Sequence, residues 1–273
     1  MFCTQCETPL TEAAKFCASC GASAPSDDSQ DTSIPVTASA GPSFPGPSIE
    51  TQTKLRGFSN LTKWLIRLLY LSVMLDTVAV TSGILQHQFL TEINAGTYSS
   101  LDVLTTAAET NDTRQQIIVI FKIALYIVTA IFFLKWIFRA GYNAHKISVL
   151  KMKFTPGWSV WGYFIPVGNL CKPYQAMKEI YAASKDPLNR YNRPPDLILP
   201  LSWLFFILSS ALGNTAFRLM TRAKEINEFI VATNVSVASD LTSIASAFVA
   251  IILVRRIYRM QAANSYGSLT EYH

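Results

Sequence analysis

Four long stretches of apolar, almost uncharged residues constrain this 273-residue chain more than any other feature. A helix of about 20 such residues crosses the hydrocarbon core of a bilayer, and each stretch is close to that length. The sequence therefore predicts an all-α membrane protein with four transmembrane helices, in a membrane domain at 58–262. The predicted spans are about 64–85, 117–138, 197–217 and 237–254.

Two Cys-x-x-Cys pairs lie near the N-terminus, at Cys3, Cys6, Cys17 and Cys20. Each pair can form a tight knuckle on one tetrahedral Zn²⁺, and so small a segment with few apolar residues needs a metal to fold. Residues 1–24 are therefore predicted to form a zinc ribbon, with two disulfides or a redox-active pair as the alternatives. The zinc would be structural, because four thiolates leave no position for a substrate. A protein partner is expected to bind this ribbon.

The segment that follows, residues 25–57, is predicted to be a disordered linker. Residues 22–53 are rich in Ser, Thr, Pro, Ala, Gly and Asp and contain no Lys or Arg. Such a composition buries too little apolar surface to offset the entropy of folding. Residues 263–273 are predicted to be a tail.

The distribution of charge predicts the orientation of the spans. Nine Lys or Arg residues lie from Arg139 to Arg193, whereas residues 86–116 hold four acidic residues and one Arg. Because loops rich in Lys and Arg face the cytoplasm, the first stretch is predicted to be cytoplasmic and the second an extracytoplasmic loop or helical cap. The chain starts without the features of a cleavable signal peptide, and the cysteine head suits a reducing compartment. We expect a multi-pass protein of the bacterial inner membrane with both termini in the cytoplasm.

One aromatic, apolar stretch, residues 158–170, is too short to be a fifth span and is interrupted by Gly162, Pro166 and Gly168. Runs of this length are typical of re-entrant or interfacial segments. Pro173 then suits the first turn of an amphipathic helix. This cytoplasmic segment either seals the bundle or binds an anionic lipid head group. The lysines available for a phosphate are Lys151, Lys153, Lys172 and Lys178.

Two ionisable residues lie inside the predicted spans, Asp76 in the first and Lys122 in the second. A charge at this depth is costly, so each should face the bundle interior and find a partner. We predict an Asp76–Lys122 pair. It either holds helices together or forms a proton or ion site.

The short aromatic stretch also carries a family resemblance. The pattern consists of Trp158, Trp161, Pro166, Asn169, Lys172, Pro173 and Tyr174, together with Trp136-x-x-Arg139-x-x-x-Asn143. Over about residues 60–260 the chain resembles the bacterial membrane family known as domain of unknown function 4328, whose members often carry an N-terminal zinc ribbon. The resemblance implies a four-helix membrane domain without an assigned activity, so no catalytic residue can be transferred. Lys172, where an arginine is common, departs from the pattern but keeps the charge.

No arrangement of a nucleophile with a base is visible, since the histidines at 87, 145 and 273 are scattered without paired carboxylates. Basic residues beside apolar segments also argue against nucleic-acid binding. The leading hypothesis is a non-enzymatic module that binds a partner or regulates through its zinc ribbon. The first alternative is a small transporter or ion-coupled channel that uses Asp76 and Lys122. The second is a lipid-binding or lipid-modifying protein that uses the basic, aromatic loop 151–180.

Overall fold

The computed structural model describes residues 49–149, 151–165, 171–188 and 196–267, and within them every regular element is an α-helix. The predicted zinc ligands Cys3, Cys6, Cys17 and Cys20, together with Pro166 and Asn169, lie outside the described residues. The helices are α1 (Ile49–Asn94), α2 (Leu101–Ile147), α3 (Pro156–Trp161), α4 (Lys172–Lys185), α5 (Ile198–Arg222) and α6 (Ile226–Gly267).

Helices α1, α2, α5 and α6 are long and apolar enough to cross a membrane, which confirms the four predicted membrane helices within the described ranges. They extend beyond the apolar windows of the sequence. Helix α1 begins at Ile49, inside the stretch 25–57 that the sequence predicts to be a linker, and residues 86–116 are helical apart from a turn at 95–100. Once a helix is nucleated, each further residue adds one hydrogen bond at little cost, so polar flanks without proline remain helical.

The turn between α1 and α2 has clear local causes. Gly96 adopts a φ of +70°, in the left-handed region that favours glycine. The Ser100 hydroxyl then caps α2 by accepting a hydrogen bond of 3.3 Å from the backbone N–H of Val103. Helices α1 and α2 therefore form an antiparallel hairpin.

The outer faces of the long helices are apolar. The side chains of Met74 on α1, Ile120 and Phe121 on α2, and Leu204 and Phe217 on α5 are each 60% exposed or more. Soluble monomers rarely expose so much apolar surface, whereas lipid tails cover such faces at no cost. The bilayer is therefore the environment that these four helices fit.

Helix α6 packs along both α1 and α5, and α1 also packs along α2. Gly83 permits a close approach, since a Cβ at this position would lie 2.6 Å from Cγ2 of Val237 on α6. On the other side, Ser239 of α6 donates a hydrogen bond of 3.3 Å to the carbonyl of Ser209 on α5. Small residues at such contacts bring membrane helices together.

The largest buried cluster lies where α2 and α6 end and α5 begins. Trp136 is fully buried, stacks on Phe58 and Phe133, and donates a hydrogen bond of 3.0 Å to the Thr62 hydroxyl. We call this the basic end of the bundle, and the end with the connections 95–100 and 223–225 the distal end. The charges that define the basic end are Lys63, Arg67, Lys135, Arg139, Arg255 and Arg256.

Helices α3 and α4, which we call the interfacial segment after the sequence prediction, pack on the basic end, chiefly against α2 and α6. Thr155 caps α3 by accepting the N–H of Trp158 at 3.3 Å. The Glu179 carboxylate of α4 accepts the backbone N–H groups of Lys153 and Phe154 at 2.6 and 2.9 Å. Neither helix is long enough to cross a bilayer, so the segment adds no fifth span.

Candidate functional site

Three charged side chains from three helices meet inside the bundle. The ammonium of Lys122 on α2 lies 3.2 Å from Oδ1 of Asp76 on α1 and forms a hydrogen-bonded ion pair with Asp240 on α6. Ser243, one turn beyond Asp240, donates a hydrogen bond of 2.8 Å to Oδ2 of Asp76. We call Asp76, Lys122 and Asp240 the triad.

Helical spacing places these residues on the inner faces of their helices. Asp76 shares one face of α1 with Ala79 and Ser82, both of which are buried. Asp240 and Ser243 occur three residues apart on α6, so both side chains reach the same neighbour. The triad is therefore a contact of α1, α2 and α6 at one depth.

The triad is shielded but its charges do not balance. The side chains of Asp76 and Asp240 keep 8% and 15% of their accessible surface, and that of Lys122 keeps 29%. Helix α5 contributes no charged residue from Ile198 to Phe217. One ammonium facing two carboxylates leaves a formal charge of −1, which is costly at this depth unless a proton or a cation compensates it.

Asp240 is the member of the triad that sequence reasoning missed. The sequence interpretation pairs Asp76 with Lys122 alone, and the structure places those two in contact. Asp240 lies within the predicted span 237–254, so the rule that an ionisable residue in a span needs a partner applies to it as well. The sequence alone therefore carries the signal for Asp240.

A second polar cluster lies between α1 and α2 on the distal side of the triad. The guanidinium of Arg114 donates to the Ser82 hydroxyl at 3.0 Å and to Oδ1 of Asn111 at 2.6 Å. The Gln115 amide donates to the Ser82 carbonyl at 3.2 Å. An open crevice of about 610 Å³, lined by Asp102 among others, lies beyond Arg114. These hydrogen bonds form a polar layer between the crevice and the triad.

The predicted interfacial motif is divided between an exposed and a buried part. Pro173 is fully buried, and the ring of the half-buried Tyr174 lies 6.1 Å from that of Trp203 on α5. The motif therefore anchors α4 to α5 and presents an aromatic surface with a positive charge outward. Its exposed members are Trp158, Trp161 and Lys172.

An ion cluster also joins α4, α5 and α6 outside the spans. The Asp196 carboxylate accepts hydrogen bonds from the Tyr181 hydroxyl at 2.5 Å and the Lys185 ammonium at 3.1 Å, and Arg256 lies 3.4 Å away. The hydrogen bonds from Tyr181 and Lys185 lower the pKa of Asp196. Burial, helped by the bond to Asp196, raises the pKa of Tyr181 to about 12. The cluster fastens the interfacial segment to the bundle.

A neutral network lies at the same end of the bundle. Gln261 is fully buried, and its amide donates to the Ala140 carbonyl at 2.9 Å and the Ser184 hydroxyl at 3.0 Å, while its oxygen accepts from Asn143 at 3.4 Å. Asn264 donates to the Ser184 carbonyl at 2.7 Å. We call this the glutamine network. It ties α2, α4 and α6 together.

A cavity of about 90 Å³ lies between the interfacial segment and the long helices. Its walls are mostly aromatic and aliphatic, with the hydroxyls of two tyrosines and two serines. Burial raises the pKa of Tyr163 well above its usual range, so this hydroxyl stays protonated. We call this space the aromatic cavity. Its lining residues are Phe133, Trp136, Tyr163, Tyr174, Met177, Leu199, Ser202, Trp203, Phe206, Ser246, Ala250, Leu253 and Val254.

Comparison with known proteins shows the family of this membrane domain. The matching region extends from α2 to α6 and thus contains Lys122, Asp240 and the interfacial segment, while Asp76 precedes it. No curated protein and no solved structure matches the chain. Residues 100–259 match the family described as "Domain of unknown function (DUF4328)", and the chain belongs to that family.

Proposed function

We propose that this chain is a proton-coupled membrane protein in which the triad takes up and releases one proton. The observation that supports this proposal is the position of Lys122 between Asp76 and Asp240. With both carboxylates ionised the triad carries −1, and with one protonated it is neutral. Two such states, close in energy, are what proton relays inside membranes use.

The ligand set favours a proton over a metal cation. The ammonium of Lys122 already occupies the position between the carboxylates that a cation would take, and Ser243 donates a hydrogen bond to Asp76. A hard cation such as Ca²⁺ needs six to eight oxygen ligands. Within the described ranges no group of three or more His, Cys, Asp or Glu side chains is arranged to hold a metal ion.

The triad thus gives the transporter or ion-coupled class more support than the Asp76–Lys122 pair alone. A neutral ion pair is sufficient to hold two helices together. A third, negatively charged member joins α6 to this pair, but it also introduces a charge that the bundle must neutralise. The proton that neutralises it is the ion to which we assign the coupling.

Infrared titration of the purified full chain in lipid nanodiscs tests this proposal. Lowering the pH should produce the carbonyl stretch of a buried protonated carboxyl group. The band should disappear in Asp76→Asn or Asp240→Asn and persist in Asp112→Asn, a matched change of an exposed carboxylate near the distal end. Absence of the band from the wild-type protein, or its persistence in both triad variants, would refute the proposal.

A second proposal concerns the head, which lies outside the described residues. The spacing of Cys3, Cys6, Cys17 and Cys20 supports one structural Zn²⁺ in a ribbon that binds a protein partner. Metal analysis of the full chain should find one zinc per molecule. The double change Cys3→Ser and Cys6→Ser should abolish it, whereas Cys171→Ser, which alters an exposed free thiol, should leave it intact. Zinc retained in the double variant would refute the proposed zinc ribbon.

The third proposal is the orientation. The charges of the basic end support placing it, both termini and the interfacial segment on the cytoplasmic side of a bacterial inner membrane. There the exposed Trp158 and Trp161 would lie among lipid head groups, with Lys172 near anionic phosphate. With the four N-terminal cysteines changed to serine, a membrane-impermeant thiol reagent should reach Cys171 only from the cytoplasm and Ser100→Cys only from outside. Labelling of both from one side contradicts the topology.

A further inference from the structure

On the basis of the proposed function, we propose that protons reach the triad from the basic end, through the aromatic cavity and a tier of three hydroxyls. The tier consists of Thr129 on α2, Ser202 on α5 and Ser246 on α6. The distal end is closed to them by Arg114.

The registers of the helices place the three hydroxyls at one depth. Helices α2 and α6 run in the same direction from the Lys122–Asp240 contact, so Thr129 and Ser246, seven and six residues further on, are level with each other. Ser239 bonds to Ser209 of the antiparallel α5. Ser246 lies seven residues beyond Ser239, and Ser202 lies seven residues before Ser209, so these two are also level. At 1.5 Å per residue the tier lies about 10 Å from the triad.

An independent contact shows that α1 and α2 keep a constant register from the triad to the basic end. The Trp136 indole bonds to the hydroxyl of Thr62 on the antiparallel α1. Trp136 is fourteen residues beyond Lys122, and Thr62 is fourteen residues before Asp76. The same number of residues thus separates the Asp76–Lys122 contact from the Thr62–Trp136 contact on both helices. Thr129 lies halfway between these two contacts on α2.

The tier lies between two polar features. On the triad side, Ser243 bonds to Asp76, and Ser246 follows Ser243 by one helical turn. On the other side, Ser246 and Ser202 line the aromatic cavity. The hydroxyls of α6 therefore lead from the Asp76 carboxylate to the cavity wall.

The hydroxyl of Thr129 lacks a hydrogen-bond partner among the described residues, and its oxygen is buried. Buried hydroxyls are nearly always paired, with protein or with ordered water. A water beside Thr129 satisfies this oxygen and extends the polar path toward the triad.

The aromatic cavity has room for the remaining water. A water molecule takes about 30 Å³ in the liquid, and each buried water needs two to four polar partners. The cavity measures about 90 Å³, enough for roughly three waters. Its lining residues include four that carry hydroxyls, Ser202, Ser246, Tyr163 and Tyr174. A short chain of waters can thus connect the interfacial segment to the tier.

The opposite side of the triad is unsuited to proton passage. Arg114 and Gln115 bind Ser82, which lies six residues beyond Asp76, or about 9 Å along α1. The guanidinium places a fixed positive charge between the triad and the distal crevice. Such a charge repels protons and cations, as it does in other selective pores.

Protonation rates after a pH jump, followed by the infrared carboxyl band in nanodiscs, test the route. Thr129→Val with Ser246→Ala removes two hydroxyls, and Ala250→Phe fills the cavity. Each should slow protonation by about tenfold or more, because the double change removes two hydrogen-bonding groups from the path and the larger ring at position 250 displaces water from the cavity. The final amplitude of the band should stay the same. Thr77→Val is the matched control, since this hydroxyl lies beside Asp76 on the exposed face of α1.

The outcomes separate the two proposals. Unchanged rates in both route variants, with a band that still titrates, overturn the route and leave the proton site standing. Slowing in Thr77→Val equal to that in the route variants also overturns it. Arg114→Gln should leave the rate as it is or raise it, and slowing in this variant would place the access at the distal end. A wild-type protein without any titrating band refutes the proposed function itself.

Discussion

The triad and the glutamine network are both buried polar contacts between three helices, yet they differ in one respect. Every group of the glutamine network is neutral, and the amide of Gln261 is satisfied by a carbonyl and a hydroxyl. The triad joins one cation to two anions and keeps a residual charge. A neutral network has one charge state at ordinary pH, whereas the net charge of the triad depends on whether one of its carboxylates is protonated. The two regions should therefore differ in how their stability responds to pH.

The largest expected effect separates the two regions by their response to pH. Lys122→Met should destabilise the protein by about 3–5 kcal/mol near pH 8, because it leaves two carboxylates without their partner. Lower pH should restore much of this loss, since protonation of one carboxylate removes the repulsion. Unfolding in mixed micelles between pH 5 and 8 measures it. A loss that is equal at every pH would contradict the charge imbalance.

A smaller effect, independent of pH, is expected in the glutamine network. Gln261→Leu should cost about 2–3 kcal/mol, because the Ala140 carbonyl and the Ser184 hydroxyl lose a donor in a buried site. The infrared band of the triad should keep its wild-type titration. Gln88→Leu, at an exposed position of α1, is the control for the change in side-chain type. Altered titration in Gln261→Leu would show that the two regions are coupled.

The helix contact beside the triad can be loosened without touching a charge. Gly83→Ala places a methyl group 2.6 Å from Val237 and should cost about 1–2 kcal/mol by overpacking. Because α1 and α6 carry Asp76 and Asp240, the change should also shift the titration of the carboxyl band. Gly157→Ala is the matched control, since a Cβ there has open space. Equal stability of the two variants would show that α1 and α6 are not in close contact at Gly83.

The smallest effect concerns the Asp196 cluster. The pKa of Asp196 is lowered in the folded state, so its stabilisation is present above the unfolded pKa of about 4 and is lost as the pH falls through the folded value. The pKa of Tyr181 is raised to about 12, so its share persists below pH 10 and is lost as the pH rises toward 12. Asp196→Asn should therefore increase hydrogen exchange in α4 at pH 7.

The difference between the same variant and the wild type should shrink as the pH falls below about 4. Comparison of the two proteins at one pH removes the intrinsic pH dependence of exchange. Asp112→Asn should leave α4 unchanged. A difference between Asp196→Asn and the wild type that does not shrink on acidification would show that the carboxylate charge is not the cause.

The sequence predicts the four membrane helices well because apolar windows of span length have few other interpretations. It places their ends less well. Helix α1 continues to Ile49 and α6 to Gly267, through polar residues that carry no apolar signal. These helices extend beyond the apolar windows because backbone hydrogen bonding propagates once a helix has formed. How far it propagates depends on the absence of proline and on how the rest of the helix packs.

The candidate site was partly predictable. Asp76 and Lys122 follow from the cost of charge in a span, and Asp240 follows from the same rule. The aromatic cavity does not, because its walls come from α2, α4, α5, α6 and the turn after α3. Such a meeting of distant segments depends on helix register, which only the folded chain reveals. The division of the interfacial motif into exposed tryptophans and a buried Pro173 has the same origin.

Helix α1 has a mechanical consequence. It runs without a break over 46 residues, about 69 Å, from Ile49 past Asp76 to Asn94. A change of charge at Asp76 that turns or tilts this rod moves its whole length together. Because no break in the helix separates Asp76 from Ile49, a displacement of α1 inside the membrane would be transmitted along the helix axis as far as Ile49.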